Sequence, residues 1–255
     1  MVYNYHTHTA RCGHANGNDR EYVESAIKAG IKTLGFSDHA PYLFPNGYRS
    51  SFRMACDKLH EYADSVRALK KEFVSDIDIL LGFELEYYPK FHREEVDFLN
   101  TVNPDYLILS QHFIDNELDS GVHVYNTKFD ILEQYVSQII QGLSTGDFVF
   151  VGHPDIINCF NVNKIQFELQ FTRLCKFAKE NGYPLELNLL GIRENRHYPG
   201  EEFFKIAGQV GCDVVIGYDA HSPQSFDDKN QLEKADKLIK KYNLNVITKP
   251  FIKGK

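Results

Sequence analysis

The chain has no tryptophan, no closely spaced cysteine pair and no long apolar run. Each absence excludes something. The five cysteines, Cys12, Cys56, Cys159, Cys175 and Cys212, are scattered and odd in number, with no CxxC. A disulfide framework or a cysteine-built zinc knuckle is therefore not expected, and a reducing cytoplasm suits the chain. No stretch approaches the ~20 apolar residues of a membrane span. The opening MVYNYHTHTARCGH is polar throughout, so no signal peptide is expected. Basic residues number 28 against 35 acidic ones, a net charge of −7. A nucleic-acid backbone wants a basic face, so no nucleic-acid partner is expected. Neither a GxGxxG after the first strand nor a GxxxxGK[ST] is present, which removes two nucleotide-binding signatures of open sheets.

What is there reads as one α/β domain, residues 1–255. That length suits a single α/β barrel of about 250 residues. A hydrophobic share of 43% is enough for a sizeable core. Short runs rich in β-branched, aromatic and leucine residues fall at 2–5, 32–37, 77–83, 106–110, 148–152, 185–188 and 213–218. They are near-continuously apolar, as parallel strands covered on both faces are. Between them lie helical patterns at 53–73, 92–100, 129–143, 166–180, 200–210 and 224–241, and one capped by Asp19 that stops at Gly30. Strand–helix alternation over about seven units implies a parallel α/β architecture, whether a closed barrel or an open sheet.

The chemistry lies where the apolar runs end. The first runs into His6-Thr7-His8 and a loop that reaches His14. The second ends at Asp38-His39, the third in Glu84 with Glu86 beyond it, and the fourth in Gln111-His112. The fifth ends in His153-Pro154-Asp155 and the seventh in Asp219-Ala220-His221. Parallel strands point their carboxyl ends one way, and active sites form there. Residues distant in sequence would thus converge. In His6-x-His8 and Asp219-x-His221 both side chains share one strand face, because side-chain period is two. Imidazole mixed with carboxylate suits Zn, Mn or Fe better than Mg or Ca. A lone HxH is more often an accident of a strand than a ligand pair. The joint pattern is not, since seven of the eleven histidines sit at strand ends or in the first loop. His60 and His92 read as solvated helix residues.

The motifs HTHTARCGH, FSDHAP, GFELEY, SQH, VGHPD and GYDAHS resemble those of the polymerase and histidinol phosphatase (PHP) superfamily. Within it they resemble the monofunctional bacterial histidinol-phosphate phosphatases. The resemblance implies a distorted (β/α)7 barrel with a metal cluster at the C-terminal ends of the strands. It also implies two to three divalent ions. One would be held by His6, His8, Glu84 and Asp219, a second by Glu84, His112 and His153, and a third by His14, His39 and His221. The segment 191–199 looks like the family's substrate loop.

Together these readings imply hydrolysis of a small phosphate monoester, most specifically L-histidinol phosphate in histidine biosynthesis. Clustered ions acidify a bridging water, and the hydroxide attacks phosphorus in line. Asp155 or His197 is expected as general acid, with Asp38 or Asp155 instead orienting an imidazole. Arg11, Arg53, Arg193 and Arg196 are the candidates for phosphate binding, since arginine forks match phosphate oxygens. Glu117, Asp119 or Glu194, with Tyr42, Tyr88 or Phe113, could hold the amine and imidazole end. Two alternatives stand beside this reading: a phosphodiesterase or nuclease of the same superfamily, and a non-catalytic module whose metals only hold the fold. Metal identity and oligomeric state are not legible in the sequence.

Overall fold

A computed structural model describes residues 2–128 and 130–249. Its frame is one sheet of eight parallel strands in which spatial order follows chain order. They are β1 (Tyr3–Asn4), β2 (Thr33–His39), β3 (Asp78–Leu85), β4 (Tyr106–Leu109), β5 (Phe150–Val151), β6 (Leu185–Asn188), β7 (Asp213–Gly217) and β8 (Asn245–Val246). The first seven coincide with the seven apolar runs. The chain beyond β1 returns to the segment after β7 through a parallel bridge, Thr7 to Ala220. The His8 amide donates to the Ala220 carbonyl at 2.9 Å, and the Ala220 amide to the His6 carbonyl at 3.2 Å. The sheet so curls into a distorted barrel. The eighth strand was not expected: two residues pair with the start of β7, at Asp213 and Val214. Such a short segment lacks the apolar run that marks a strand in sequence.

Inside the barrel, Tyr106 acts as a plug. Its hydroxyl donates to the Tyr5 carbonyl at 2.6 Å, and a Cβ on Gly35 or Gly82 would strike its ring. The main core lies outside the sheet, where the apolar faces of the helices cover the strands. These helices are α1 (Asp19–Lys28), α2 (Leu59–Glu72), α3 (His92–Leu99), α4 (Leu132–Ser144), α5 (Lys164–Asn181), α6 (Leu189–Arg193), α7 (Glu201–Val210) and α8 (Lys229–Tyr242). Among the described residues none is long and apolar enough to cross a membrane.

The structure corrects several local expectations. Asn18, not Asp19, caps α1, through a capping box with Glu21, an arrangement worth about 1 kcal/mol. The helix expected from 53 begins at Leu59 after a short turn, which leaves Arg53 in a loop. The start expected at Phe129 lies outside the described residues. His92 is buried, not solvated, with its Nε2 2.9 Å from Asp147. The segment after β6 is not all loop, because the Asn188 side chain caps the single-turn α6 at the Gly191 amide.

Candidate metal centre

Strand register builds the centre. Across β2 and β3, Thr33 pairs with Asp78, and the ladder runs without slip to His39 opposite Glu84. Both side chains thereby reach the same rim, and His39 Nδ1 lies 2.8 Å from Glu84 Oε2. Glu84 is the hub. Its Oε1 lies 2.9 Å from His153 Nε2, 3.3 Å from His6 Nε2 and 3.9 Å from His112 Nε2. Its Oε2 lies 3.5 Å from His8 Nε2. Asp219 is the second carboxylate, with Oδ1 3.1 Å from His8 Nε2, 3.3 Å from His221 Nδ1 and 3.6 Å from His6 Nε2. His14 joins at the open mouth, its Nε2 3.1 Å from that of His221. All nine positions expected as ligands therefore meet in one ring.

The ring has the chemistry of a cation site. Four of its buried atoms, His6 Nε2, His39 Nδ1, Glu84 Oε2 and Asp219 Oδ1, face one another with no hydrogen-bond partner. Buried polar atoms rarely go unpaired, so converging lone pairs fit bound cations. Ligand atoms close enough to share an ion include those of His14, His39 and His221, of His6, Glu84 and His153, and of His6, His8 and Asp219. Burial alone would push the Glu84 and Asp219 carboxyls up. The imidazoles around them overrule it and hold both well below the usual carboxylate range. Burial lowers His39 to about 4, which keeps its ring neutral and able to ligate.

Two of these residues sit on strained backbone. His153 has φ 26° and Asp219 φ 46°, left-handed values that side-chain-bearing residues seldom adopt. Glu186 steadies the first: its Oε2 accepts from the His153 amide at 2.9 Å. Its Oε1 lies 2.8 Å from His6 Nδ1. Sequence reading missed Glu186. The available signal was a charged residue within the apolar β6, on the same face as Asn188. Gly217 on β7 makes room for it, since a Cβ there would lie 1.8 Å from Glu186 Oε1. Asn188 steadies Asp219 with a 3.1 Å hydrogen bond to Oδ2. Glu86 lies 2.6 Å from His112 Nδ1, and Asp38 3.4 Å from His8 Nδ1.

Above the ring is a cavity of about 640 Å³, whose walls include Phe52, His123, Tyr125, Asn126, Glu194, Arg196 and Tyr198. Of the four arginines considered for phosphate, only Arg196 lines it. Arg11 is turned away onto both Asp19 oxygens, each at 2.9 Å. Arg193 donates to Gln231 at 2.9 Å and approaches the Tyr218 and Asp219 carbonyls at 3.5 Å. Arg53 is buried between Glu86 and Glu117. Asp155 and His197 line a neighbouring pocket of about 300 Å³ instead. Asp155 accepts from the Gly200 amide at 2.5 Å, and burial pushes its carboxyl up to about 7. His197 Nε2 lies 2.8 Å from the Ile156 carbonyl oxygen. Neither residue is among those that line the cavity above the ring.

The PHP domain family matches residues 4–189, most of the chain and most of the ring. The chain belongs to the PHP domain family. The chain is 29% identical over 248 residues to the histidinol-phosphatase of Bacillus subtilis, an alignment covering 85% of this chain and 92% of that one. It is also 29% identical over 225 residues to a Deinococcus radiodurans protein named "Probable histidinol-phosphatase", covering 86% and 85%. Among solved structures it is similar to the histidinol phosphate phosphatase of Lactococcus lactis, complexed with zinc, L-histidinol and phosphate. That match has a TM-score of 0.75 and 21% identity, and it covers 96% of this chain and 95% of that one. At that identity the likeness speaks for the fold.

Proposed function

We propose that this PHP domain is a metal-dependent phosphomonoesterase whose substrate is L-histidinol phosphate. The observation that carries the reading is the ring: seven imidazoles gather with the carboxylates of Glu84 and Asp219 beneath a cavity sized for a small ester. The residues named above would hold two to three divalent ions: His6, His8, Glu84 and Asp219; Glu84, His112 and His153; and His14, His39 and His221. Ions held there supply positive charge to phosphate oxygens and acidify water.

The chain's own groups do the rest. Glu186 and Glu86 face the Nδ1 atoms of His6 and His112, which leaves each Nε2 lone pair for the centre. Arg196 offers a fixed cation to the phosphate dianion at the cavity wall. Its guanidinium is held by Glu194 and by the Tyr198 hydroxyl at 2.7 Å. Of the acidic candidates for the amine and imidazole end, Glu194 lines the cavity, where it is paired with Arg196. Glu117 is taken by Arg53, and Asp119 by Lys90 at 2.8 Å. Phe52, Tyr125 and Tyr198 are aromatic residues on the cavity wall, whereas Tyr42 and Tyr88 are buried around Arg53 and Phe113 does not line the cavity. The relatives named histidinol-phosphatase support the same substrate.

The test is kcat/KM for histidinol phosphate against a panel of small monoesters and a phosphodiester. A preference of at least about tenfold, ~1.4 kcal/mol of transition-state discrimination, is expected. A smaller preference refutes the substrate, and a preferred diester refutes the monoesterase class.

A further inference from the structure

Arg53 is 6% exposed, yet it reaches neither the ring nor the cavity. Its guanidinium carbon lies 4.5 Å from the Phe52 ring centre, 5.1 Å from that of Tyr42 and 5.8 Å from that of Tyr88. In that aromatic box it spends three donors. Nη1 donates to Glu86 Oε2 at 2.5 Å, Nε to Glu117 Oε1 at 2.7 Å, and Nη2 to the Tyr88 hydroxyl at 3.0 Å. Burying an arginine in this way demands that its charge be matched, and two carboxylates match it.

Each carboxylate leads somewhere. The other oxygen of Glu86 lies 2.6 Å from His112 Nδ1, and His112 Nε2 faces Glu84. An imidazole whose Nδ1–H donates a hydrogen bond to a carboxylate keeps the Nε2 lone pair free and its ring plane fixed. Glu117 belongs to a hairpin-like segment, residues 113–124, closed by the Phe113–His123 bridge. The Ile114 amide donates to the Val122 carbonyl at 3.0 Å, and the Val124 amide to the His112 carbonyl at 2.9 Å. That segment and the residues just after it put His123, Tyr125 and Asn126 on the cavity wall.

We infer that Arg53 is a positioning residue that fixes His112 through Glu86 and the 113–126 wall of the cavity through Glu117. The inference rests on the reading of His112 as a metal ligand. It needs arginine specifically, because the planar fork addresses two carboxylates and a hydroxyl in fixed directions, which an ammonium on a flexible stem does not.

The experiment uses zinc-loaded protein and the variants Arg53→Lys, Arg53→Met, Glu86→Gln, Glu117→Gln and His112→Asn. Zinc retention is measured by competition with a chelator, alongside kcat, KM, inhibition by inorganic phosphate at saturating zinc, and melting temperature. Arg53→Met is expected to weaken retention of one ion about 10–100-fold, the same ion that His112→Asn releases. Glu86→Gln should match it, and the double variant should be no worse than either single one, since both cut one link. Arg53→Lys should be intermediate. Glu117→Gln should raise KM and leave zinc retention within threefold. A fall in melting temperature with zinc retention unmoved in Arg53→Met and Glu86→Gln would overturn the inference and leave a purely structural role. So would a joint rise of KM and the phosphate inhibition constant with zinc retained, which would make Arg53 a phosphate binder. If Arg53→Met does not fold, Arg53→Lys carries the test, with zinc retention equal to wild type overturning the inference. If wild type and His112→Asn retain zinc equally, the metal reading of His112 fails, an outcome distinct from failure of the Arg53 link.

Discussion

Glu95 offers a measurement of what burial does in this fold, away from the ring. It lies on α3 and is 1% exposed. Its Oε2 accepts one hydrogen bond, from the Leu43 amide at 3.0 Å, and its Oε1 has no partner. Burial pushes its carboxyl from 4.5 up to about 8, and the Leu43 amide and the Arg53 charge offset this only in part. The sign follows from proton counts. Between pH 4.5 and 8 the folded state keeps a proton that the unfolded state has released, so stability falls as pH rises through that window. At ~1.36 kcal/mol for each factor of ten in proton affinity, the full penalty above pH 8 is roughly 4–5 kcal/mol. Structural relaxation and water penetration bring it to on the order of 2–4 kcal/mol. Glu95→Gln keeps the Leu43 acceptor and removes the ionisation. It should match wild type near pH 4.5 and melt roughly 4–16 °C higher at pH 8, taking ~2–4 °C per kcal/mol for a chain of this size. The assay is thermal or urea unfolding of both zinc-loaded proteins from pH 4.5 to 9. Titration of the ring is common to both and cancels in the difference. A difference that stays flat with pH would refute the reasoning, because Glu95 would then be ionised in the fold.

Two further outcomes follow from the ring and the cavity. Protein purified without chelator should carry two to three divalent ions per chain by elemental analysis, and stripping them should lower the melting temperature. An ion held at 100 times its Kd stabilises by ~2.7 kcal/mol, and one ion or fewer after reconstitution would sink the multi-ion reading. Arg196→Ala should raise KM and the phosphate inhibition constant on the order of tenfold, the loss of a charge-assisted contact of ~1.4 kcal/mol or more. Arg11→Ala should leave both within about threefold, and equal effects in the two variants would show that the cavity wall is misassigned.

The sequence by itself determined which residues could form the ring. Parallel strands send their carboxyl ends to one rim, and a side-chain period of two puts His6 with His8 and Asp219 with His221 on one face. Those two rules, applied to apolar runs that end in His, Glu or Asp, sent the strand-end candidates to one rim, Asp38, Glu86 and Asp155 among them; the choice of nine, with Glu84 over Glu86 and with His14 from the first loop, came from the family resemblance. Only the tertiary structure decided what lies around them. An arginine's reach exceeds what backbone position fixes, so Arg11, Arg53 and Arg193 went to whichever acceptors packing placed nearby. Asp19, the pair Glu86 and Glu117, and Gln231 are each distant from them in sequence or on another element. Glu186 stayed hidden because a carboxylate inside an apolar strand has no meaning until its neighbours are known. Its meaning comes from His6, from the His153 amide and from the missing side chain of Gly217, three elements that meet only when the sheet has curled.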